Sequence, residues 1–545
     1  MLLKLLNKVS VIFSTSFQLV LINLCVGKGC RSSIDILMDD ILLEIFHCYR
    51  LDAPLGWDHK WWYDLMHTCR RWRHLILESA LSLRLHLHVT YGKPIGEMLR
   101  YSPPLPLYID YGEAQMSTTD EEGALLVLQH HHHRVQLINL REPSLQKLFE
   151  VMGKPFPILE NLRLVSLDPW YHSQLPETFS AQRLRHLSLI QVGDVMAPGI
   201  PLLASITGLV TLSLIEIPSP ASLPIKYLMS RLSLMPLLER LSLEFDPDKL
   251  EAPPPGNVKS DLSAQEAPMV QLSKLDKIVF KGRCRYLEGL VSCIRAPLLT
   301  SSTLLFSSRP TITLSHLSEF LAAAEELKYP VCSFTFSGAS EDDPCVWITL
   351  GNLEDFVDVD QSSDSEEAPF RIRFPCIKFD KQVAGAARIS TALTPSLSSV
   401  ERLHFEYYAT RWVKGFIPDP SRETWFELLR PFSNVQKLQL DTGMARSLSY
   451  ALCPKDGPIA EGVLPKLSKF LRPHHATFED MLDPFIAARK AAGQPIVKRR
   501  CPRTSDSEDE DELWWLAESS DDDDEATTEL DSDEEEEEDV DSESE

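Results

Sequence analysis

Few residues in this chain have both the type and the spacing that chemistry needs. Four consecutive histidines, His130, His131, His132 and His133, carry imidazole nitrogens of the kind that ligate zinc. Successive helical side chains point about 100° apart, so a run of four cannot converge on one ion, and the cluster reads as a polar segment with no metal. The eleven cysteines contain no Cys-x-x-Cys pair. That pattern argues against a zinc framework and against a disulfide-stapled secreted domain, and leaves reduced thiols of the cytoplasm or nucleus. The chain holds no phosphate-binding glycine loop, no Gly-x-Ser-x-Gly elbow, no His-Glu-x-x-His helix and no EF-hand loop. Scattered serines, histidines and acids support no catalytic assignment without geometry, so the expectation is a non-enzymatic chain with no cofactor.

Charge narrows the classes further. The 545 residues carry a formal charge of −25, yet 24 of the 79 acids lie between Ser505 and Glu545, where there is no Lys or Arg. Residues 1–504 therefore hold 55 acids against 54 bases, and no excess of positive charge suggests a nucleic-acid partner. A like-charge run of this kind repels itself, so residues 496–545 are expected to hold the basic cluster Lys498-Arg499-Arg500-Cys501-Pro502-Arg503 and then, from Ser505, a disordered acidic tail. Leu513-Trp514-Trp515-Leu516 interrupts that tail with apolar residues that read equally as a binding motif or as a remnant.

The elements that position binding residues begin near Ile34. Ile41, Leu42, Ile45 and Phe46 fall on one face of a helix opened by Asp39 and Asp40. After a polar turn, Trp62, Leu65, Met66, Cys69, Trp72 and Ile76 repeat the helical spacing. Helices this short bury little surface alone and need a partner or the rest of the chain.

This segment resembles an F-box in the form common in fungi. Its opening is Leu37-Met38-Asp39-Asp40-Ile41-Leu42-Leu43-Glu44-Ile45-Phe46, and its closing is Cys69-Arg70-Arg71-Trp72-Arg73. Met38 stands where the family usually has proline, which should loosen the start of the helix. The resemblance implies that Leu37, Ile41, Leu42, Ile45, Phe46, Leu65, Cys69 and Trp72 are docking or core residues for a Skp-family linker.

Beyond it the chain repeats itself. Leu159-x-x-Leu162-x-Leu164, Leu184-x-x-Leu187-x-Leu189, Leu209-x-x-Leu212-x-Leu214, Leu238-x-x-Leu241-x-Leu243 and Leu275-x-x-Ile278-x-Phe280 share one pattern, with starts 25, 25, 29 and 37 residues apart. Looser copies begin at Val331, Val400 and Val435, with an earlier one at Val135 and Leu137. Such periods mark a leucine-rich repeat, in which each pattern forms a short parallel strand that needs its neighbours to close a core. The expected fold class is α/β: a small all-helical module over 31–80, connecting strands and a helix over 81–130, an irregular solenoid over 131–495 and the tail. Leu81–Val89 and Tyr101–Asp110 read as strands, Ala221–Leu237 as a helix that then breaks, and Gln361–Glu367 as a loop between repeats.

Phrases such as Lys154-Pro155-Phe156-Pro157-Ile158-Leu159-Glu160-Asn161-Leu162 are similar to those of mushroom-type fungal F-box proteins with degenerate leucine-rich repeats. That resemblance implies a substrate adaptor of an SCF-type ubiquitin ligase, with the Skp-family linker, a cullin core and an unknown protein substrate as partners. The alternative is a ligase-independent repeat scaffold, for instance a nuclear one whose acidic tail meets basic partners. Lys4 and Lys8 precede an apolar run from Val9 to Val26 that looks like a leader. Ser10, Ser14, Thr15, Ser16, Gln18 and Asn23 interrupt it, and a spanning helix wants about 20 predominantly apolar residues. A cytoplasmic or nuclear chain is therefore expected.

Overall fold

The computed structural model describes residues 37–51, 61–92, 95–101, 104–112, 116–141, 145–166, 179–191, 206–218, 223–246, 268–310, 314–324, 327–338, 344–352, 368–408, 420–452, 463–472 and 482–500. Three helices come first: α1 (Asp39–Leu51), α2 (Trp61–Met66) and α3 (Arg70–Glu78). The strands that follow are β1 (Leu87–Val89), β2 (Leu107–Tyr111), β3 (Val135–Arg141), β4 (Asn161–Val165), β5 (His186–Ile190) and β6 (Thr211–Ile217). Then come β7 (Arg240–Phe245), β8 (Val270–Gln271), β9 (Lys277–Gly282), β10 (Ile294–Arg295), β11 (Ser301–Phe306) and β12 (Val331–Ser337). The last six are β13 (Cys345–Gly351), β14 (Phe370–Pro375), β15 (Arg402–Tyr408), β16 (Lys437–Leu440), β17 (Lys469–Arg472) and β18 (Val497–Arg500).

Among the described residues, sixteen strands form one sheet, in sequence order from β1 to β7 and then β9, β11, β14, β13, β12, β15, β16, β17 and β18. Strands β8 and β10 pair separately. The repeat pattern explains the sheet directly. Its second and third leucines point to one side of a strand, and parallel pairing without slip stacks them into two buried rows. One row runs Leu162, Leu187, Leu212, Leu241, Ile278; the other runs Leu164, Leu189, Leu214, Leu243, Phe280, Leu304. All of these are at most 4% exposed. Burying such a side chain contributes about 1.5–3 kcal/mol, and each row needs its neighbours, so no repeat is stable alone.

A second device fixes the register. The carbonyl oxygen just ahead of a strand accepts two N–H groups from the next repeat: Glu160 from Arg185 and His186, Arg185 from Val210 and Thr211, Val210 from Glu239 and Arg240. The series continues at Glu239 and Asp276, and again at Pro330, Glu401 and Gln436. This arrangement, with helices on the buried side, is that of a leucine-rich-repeat-like solenoid in a mixed α/β chain. Tyr286 of the helix Cys284–Val291 lies 4.8 Å from Phe245, and Trp425 of the helix Arg422–Leu429 lies 5.8 Å from Phe405.

The structure departs from the repeat reading at β12. That strand is not the successor of β11, because β14 takes the place beside β11 and β13 runs antiparallel between β14 and β12. Residues 338–344 join β12 to β13, too few for a parallel crossover, which needs a dozen or more, so the chain must turn back on itself. The expected loop Gln361–Glu367 lies outside the described residues. It falls between the two antiparallel strands β13 and β14.

The ends differ from expectation as well. Ser79–Arg84 forms turns rather than strand, with Leu81 88% exposed, and pairing starts only at Leu87. At the far end Val497–Arg500, read as the start of the tail, is the last strand of the sheet. Basic residues suit such a position, since charge on an edge strand discourages further pairing. The helix Ile225–Leu232 lies inside the expected Ala221–Leu237 segment. No described helix is long and apolar enough to cross a membrane. Residues 1–30 and 505–545 lie outside the described residues.

Candidate binding surfaces

In the helical module the aromatic residues point inward. Leu42, Phe46, Trp62, Leu65 and Ile76 are at most 1% exposed, and Trp72 meets Phe46 edge to face at 5.0 Å. These residues join the same continuous core as Leu83 and Leu85, so the module is closed by the rest of the chain. Arg71 ties α3 to the start of α1. Its guanidinium donates to Asp39 Oδ1 at 3.0 and 2.6 Å and to the carbonyl oxygen of Leu37. That clamp holds the start of the helix beside Met38. Cys69 caps α3, its sulfur accepting the Trp72 N–H at 3.5 Å.

The eight expected docking or core residues therefore separate. Leu42, Ile45, Phe46, Leu65 and Trp72 are interior, and Cys69 is exposed but occupied as a cap. Leu37 and Ile41 stay partly buried at the surface, beside Met38, which is 66% exposed. Sequence reasoning left out Met38, whose exposure at the head of an apolar strip is visible only once α1 is packed.

The sheet offers a larger surface. Residues that alternate with the buried rows face away from the helices, and most of them remain half-buried or exposed, Val331 and Ser333 of β12 being buried exceptions. Strand register places small hydroxyl residues in its middle, Ser188, Ser213 and Ser242, followed by Val279 and Thr303. The bases of this open face are Arg141, Arg163, Arg240, Lys277, Lys281, Arg371, Arg373, Arg402, Lys437 and Lys469. Its carboxylates are Asp110, Glu244 and Glu406, with Glu160, Glu239, Asp276 and Glu401 on the rim just ahead of the strands. The face thus carries an excess of bases over carboxylates, part of which the rim carboxylates offset.

A groove of about 870 Å³ runs along one edge of this face, lined by Thr211, Ser213, Arg240, Ser242, Lys277, Ser301, Lys328 and Asn352. Asp276 also lines it, and one of its carboxylate oxygens is buried without a hydrogen-bond partner among the described residues. Further along, the guanidinium groups of Arg371 and Arg373 lie 4.5 and 5.5 Å from the centre of the Trp347 ring. His404 Nδ1 sits 3.4 Å from Ser333 Oγ, and burial, reinforced by the Arg402 charge, pushes its pKa down to about 4. It is neutral at pH 7.

The histidine run closes a helix and a following single turn. His131 and His133 have ring centres 6.4 Å apart, and burial with neighbouring positive charge lowers the pKa of His131 and His132. Among the described residues no group of three or more His, Cys, Asp or Glu is placed to hold a metal ion. Burial likewise pushes the Cys284 thiol up to about 12 and the Cys332 thiol well above its usual range, so neither is a ready nucleophile.

No family model matches this chain, and no curated protein matches it. Among solved structures it is similar to the leucine-rich repeat-containing protein LegL7 from Legionella pneumophila, with 12% sequence identity and a TM-score of 0.26, over 76% of this chain and 99% of that one. A likeness at that level carries no argument. The repeat architecture rests on the strand register and the shared carbonyls instead.

Proposed function

We propose that this chain is a non-catalytic substrate-recognition adaptor of an SCF-type ubiquitin ligase, of the fungal F-box kind. The helical module docks on a Skp-family linker attached to a cullin core, and the open face of the sheet holds a protein substrate. The reading is carried by one observation: a small helical module with an apolar strip at Leu37, Met38 and Ile41 is built onto a long repeat sheet with a separate, chemically distinct face. One chain then has two places to bind. An adaptor acts by proximity, raising the effective concentration of a substrate lysine near the ligase without supplying a reacting group.

The test uses Leu37→Asp with Ile41→Asp. A carboxylate in a desolvated apolar interface is strongly penalised, so co-purification of linker and cullin should be lost while the circular dichroism of the chain is unchanged. Phe46 is unsuitable as a docking probe because it is 0% exposed, and its replacement would damage the module itself. Undiminished linker capture by the double variant would overturn the adaptor reading and favour a ligase-independent scaffold.

A further inference from the structure

The antiparallel strand that interrupts the repeats also builds a wall. Because β13 runs against β12 and β14, its end lies at the same edge of the sheet as their starts, and Lys328, Asn352 and Pro369 stand there together. Two hydrogen bonds pin this wall to β11. The Tyr329 hydroxyl donates to the Thr300 carbonyl oxygen at 2.6 Å, and the Ser302 N–H donates to the Pro369 carbonyl oxygen at 2.8 Å. Beside the wall, the first residues of β6, β7, β9 and β11 form one row in register: Thr211, Arg240, Lys277 and Ser301. The groove of about 870 Å³ is lined by both the row and the wall. We infer that this groove is a subsite for an acidic side chain, aspartate or glutamate, on a segment of a bound protein. The inference rests on reading the open face as the substrate surface and names the chemistry taken there.

Charge is the first argument. Arg240 and Lys277 are register partners on adjacent strands, about 4.8 Å apart at the backbone, and like charges set side by side repel. Lys328 brings a third cation from the wall. None of the three forms an ion pair or a hydrogen bond with another described residue. An anion held among them relieves the repulsion.

Asp276 decides which anion. It is the one carboxylate lining the groove, and its side chain receives no hydrogen bond from a described residue. Three cations and this carboxylate suit a monoanion accompanied by an N–H donor, which is what an acidic residue with its own backbone amide presents. A phosphate group, with a charge of about −1.5 to −2, would meet stronger repulsion from Asp276. Size agrees, since pockets of about 300–1,000 Å³ take more than a lone ion. The hydroxyls of Ser213 and Ser301 lie in the same groove as uncharged partners for the flanking peptide groups.

The experiment presents the full chain to immobilised peptides that share a neutral Gly/Ser frame and differ at one central position: glutamate, aspartate, glutamine, lysine or phosphoserine. Retention on glutamate or aspartate should exceed that on glutamine at least about fivefold at low salt and should approach parity near about 0.5 M salt. Phosphoserine should do no better than glutamate. Arg240 is exposed and Lys277 half-buried, so replacing them leaves the buried rows intact. Arg240→Ala with Lys277→Ala should abolish the preference, and Arg240→Glu with Lys277→Glu should turn it toward lysine, a reversal that loss of structure cannot produce. Asp276→Asn should raise phosphoserine relative to glutamate. Absence of an acidic preference, or one that survives the alanine pair, overturns the inference. Phosphoserine ahead of glutamate on the unaltered chain overturns the choice of a carboxylate. Linker co-purification measured on the same variants reports on the adaptor reading separately, since β7 and β9 lie far along the sheet from the helical module. Captured linker without an acidic preference sinks this inference alone.

Discussion

In the helical module, Phe46 and Trp72 meet edge to face inside, and what is offered outward is a short strip at the head of one helix. In the sheet, the leucines that announce the repeats are equally hidden, but the residues between them are spread over a face many strands wide. Both regions are recognised by what they bury. They differ in how the outward residues are set: the module fixes its strip by one guanidinium clamp, whereas the sheet fixes its face by a row of shared carbonyls repeated along the solenoid. A pattern made of buried residues therefore identifies an architecture, while binding is decided by the positions that the pattern leaves open.

The sharpest way to break this comparison is to place a charge in each interior. Leu212→Asp puts an unpaired carboxylate in the middle of a buried row and should cost more than about 4 kcal/mol, with loss of hydrogen-exchange protection across several neighbouring strands. Phe46→Asp should be as severe locally but confined to residues 37–78, leaving the sheet protected. Equal spread of the two effects would show that the regions form one cooperative unit.

Acid should destabilise the sheet through His404. His404 has its folded pKa lowered to about 4, below the usual 6.5. Its neutral form is the one the fold holds, so its contribution is fully present above pH 6.5 and is lost as pH falls toward 4. The loss is on the order of 2–3 kcal/mol by linkage, and a denaturant series on His404→Gln should show a flatter dependence over that window. An unchanged slope would remove His404 from the account.

Smaller effects sharpen the contrast. Arg71→Ala removes the clamp on α1, a partly exposed ion pair together with a bond to a backbone carbonyl, and should cost about 1 kcal/mol. The change should appear as faster exchange at 39–46 with the sheet unaffected. Arg371→Ala loses one cation–π contact with Trp347 and should cost about 0.5–1 kcal/mol, read as a small fall in melting temperature and a larger shift in Trp347 fluorescence.

The physics of legibility follows the same division. Helical spacing marked α1 and α3, and the strict leucine pattern marked β4 to β7 and β9, because local periodicity is a sufficient cause for both. Strands β13 and β14 were missed although Val346, Ile348, Leu350 and Phe370, Ile372, Phe374 alternate cleanly. Their period of two lies inside an insertion and does not match the six-residue repeat. β18 was missed because Lys498-Arg499-Arg500 reads as a charged linker until an edge is known to exist. The basic character of the open face was invisible for a different reason. Whole-body charge is balanced, and only the register of the strands separates bases on the face from acids on the rim and the helices.

The reversal at β12 to β14 has a consequence during synthesis. Strand β11 ends at Phe306, and its partner β14 does not begin until Phe370 has been made. At about 5–20 residues per second the growing sheet therefore presents an unpaired edge for some 3–13 s. Within that interval β12 emerges, carrying Val331, Phe334 and Phe336 at the spacing of a true repeat. The nascent chain is thus offered the same wrong neighbour that the sequence pattern suggests. What displaces it is the later arrival of β14, whose Phe370 and Ile372 continue the two buried rows beside Ser302 and Leu304.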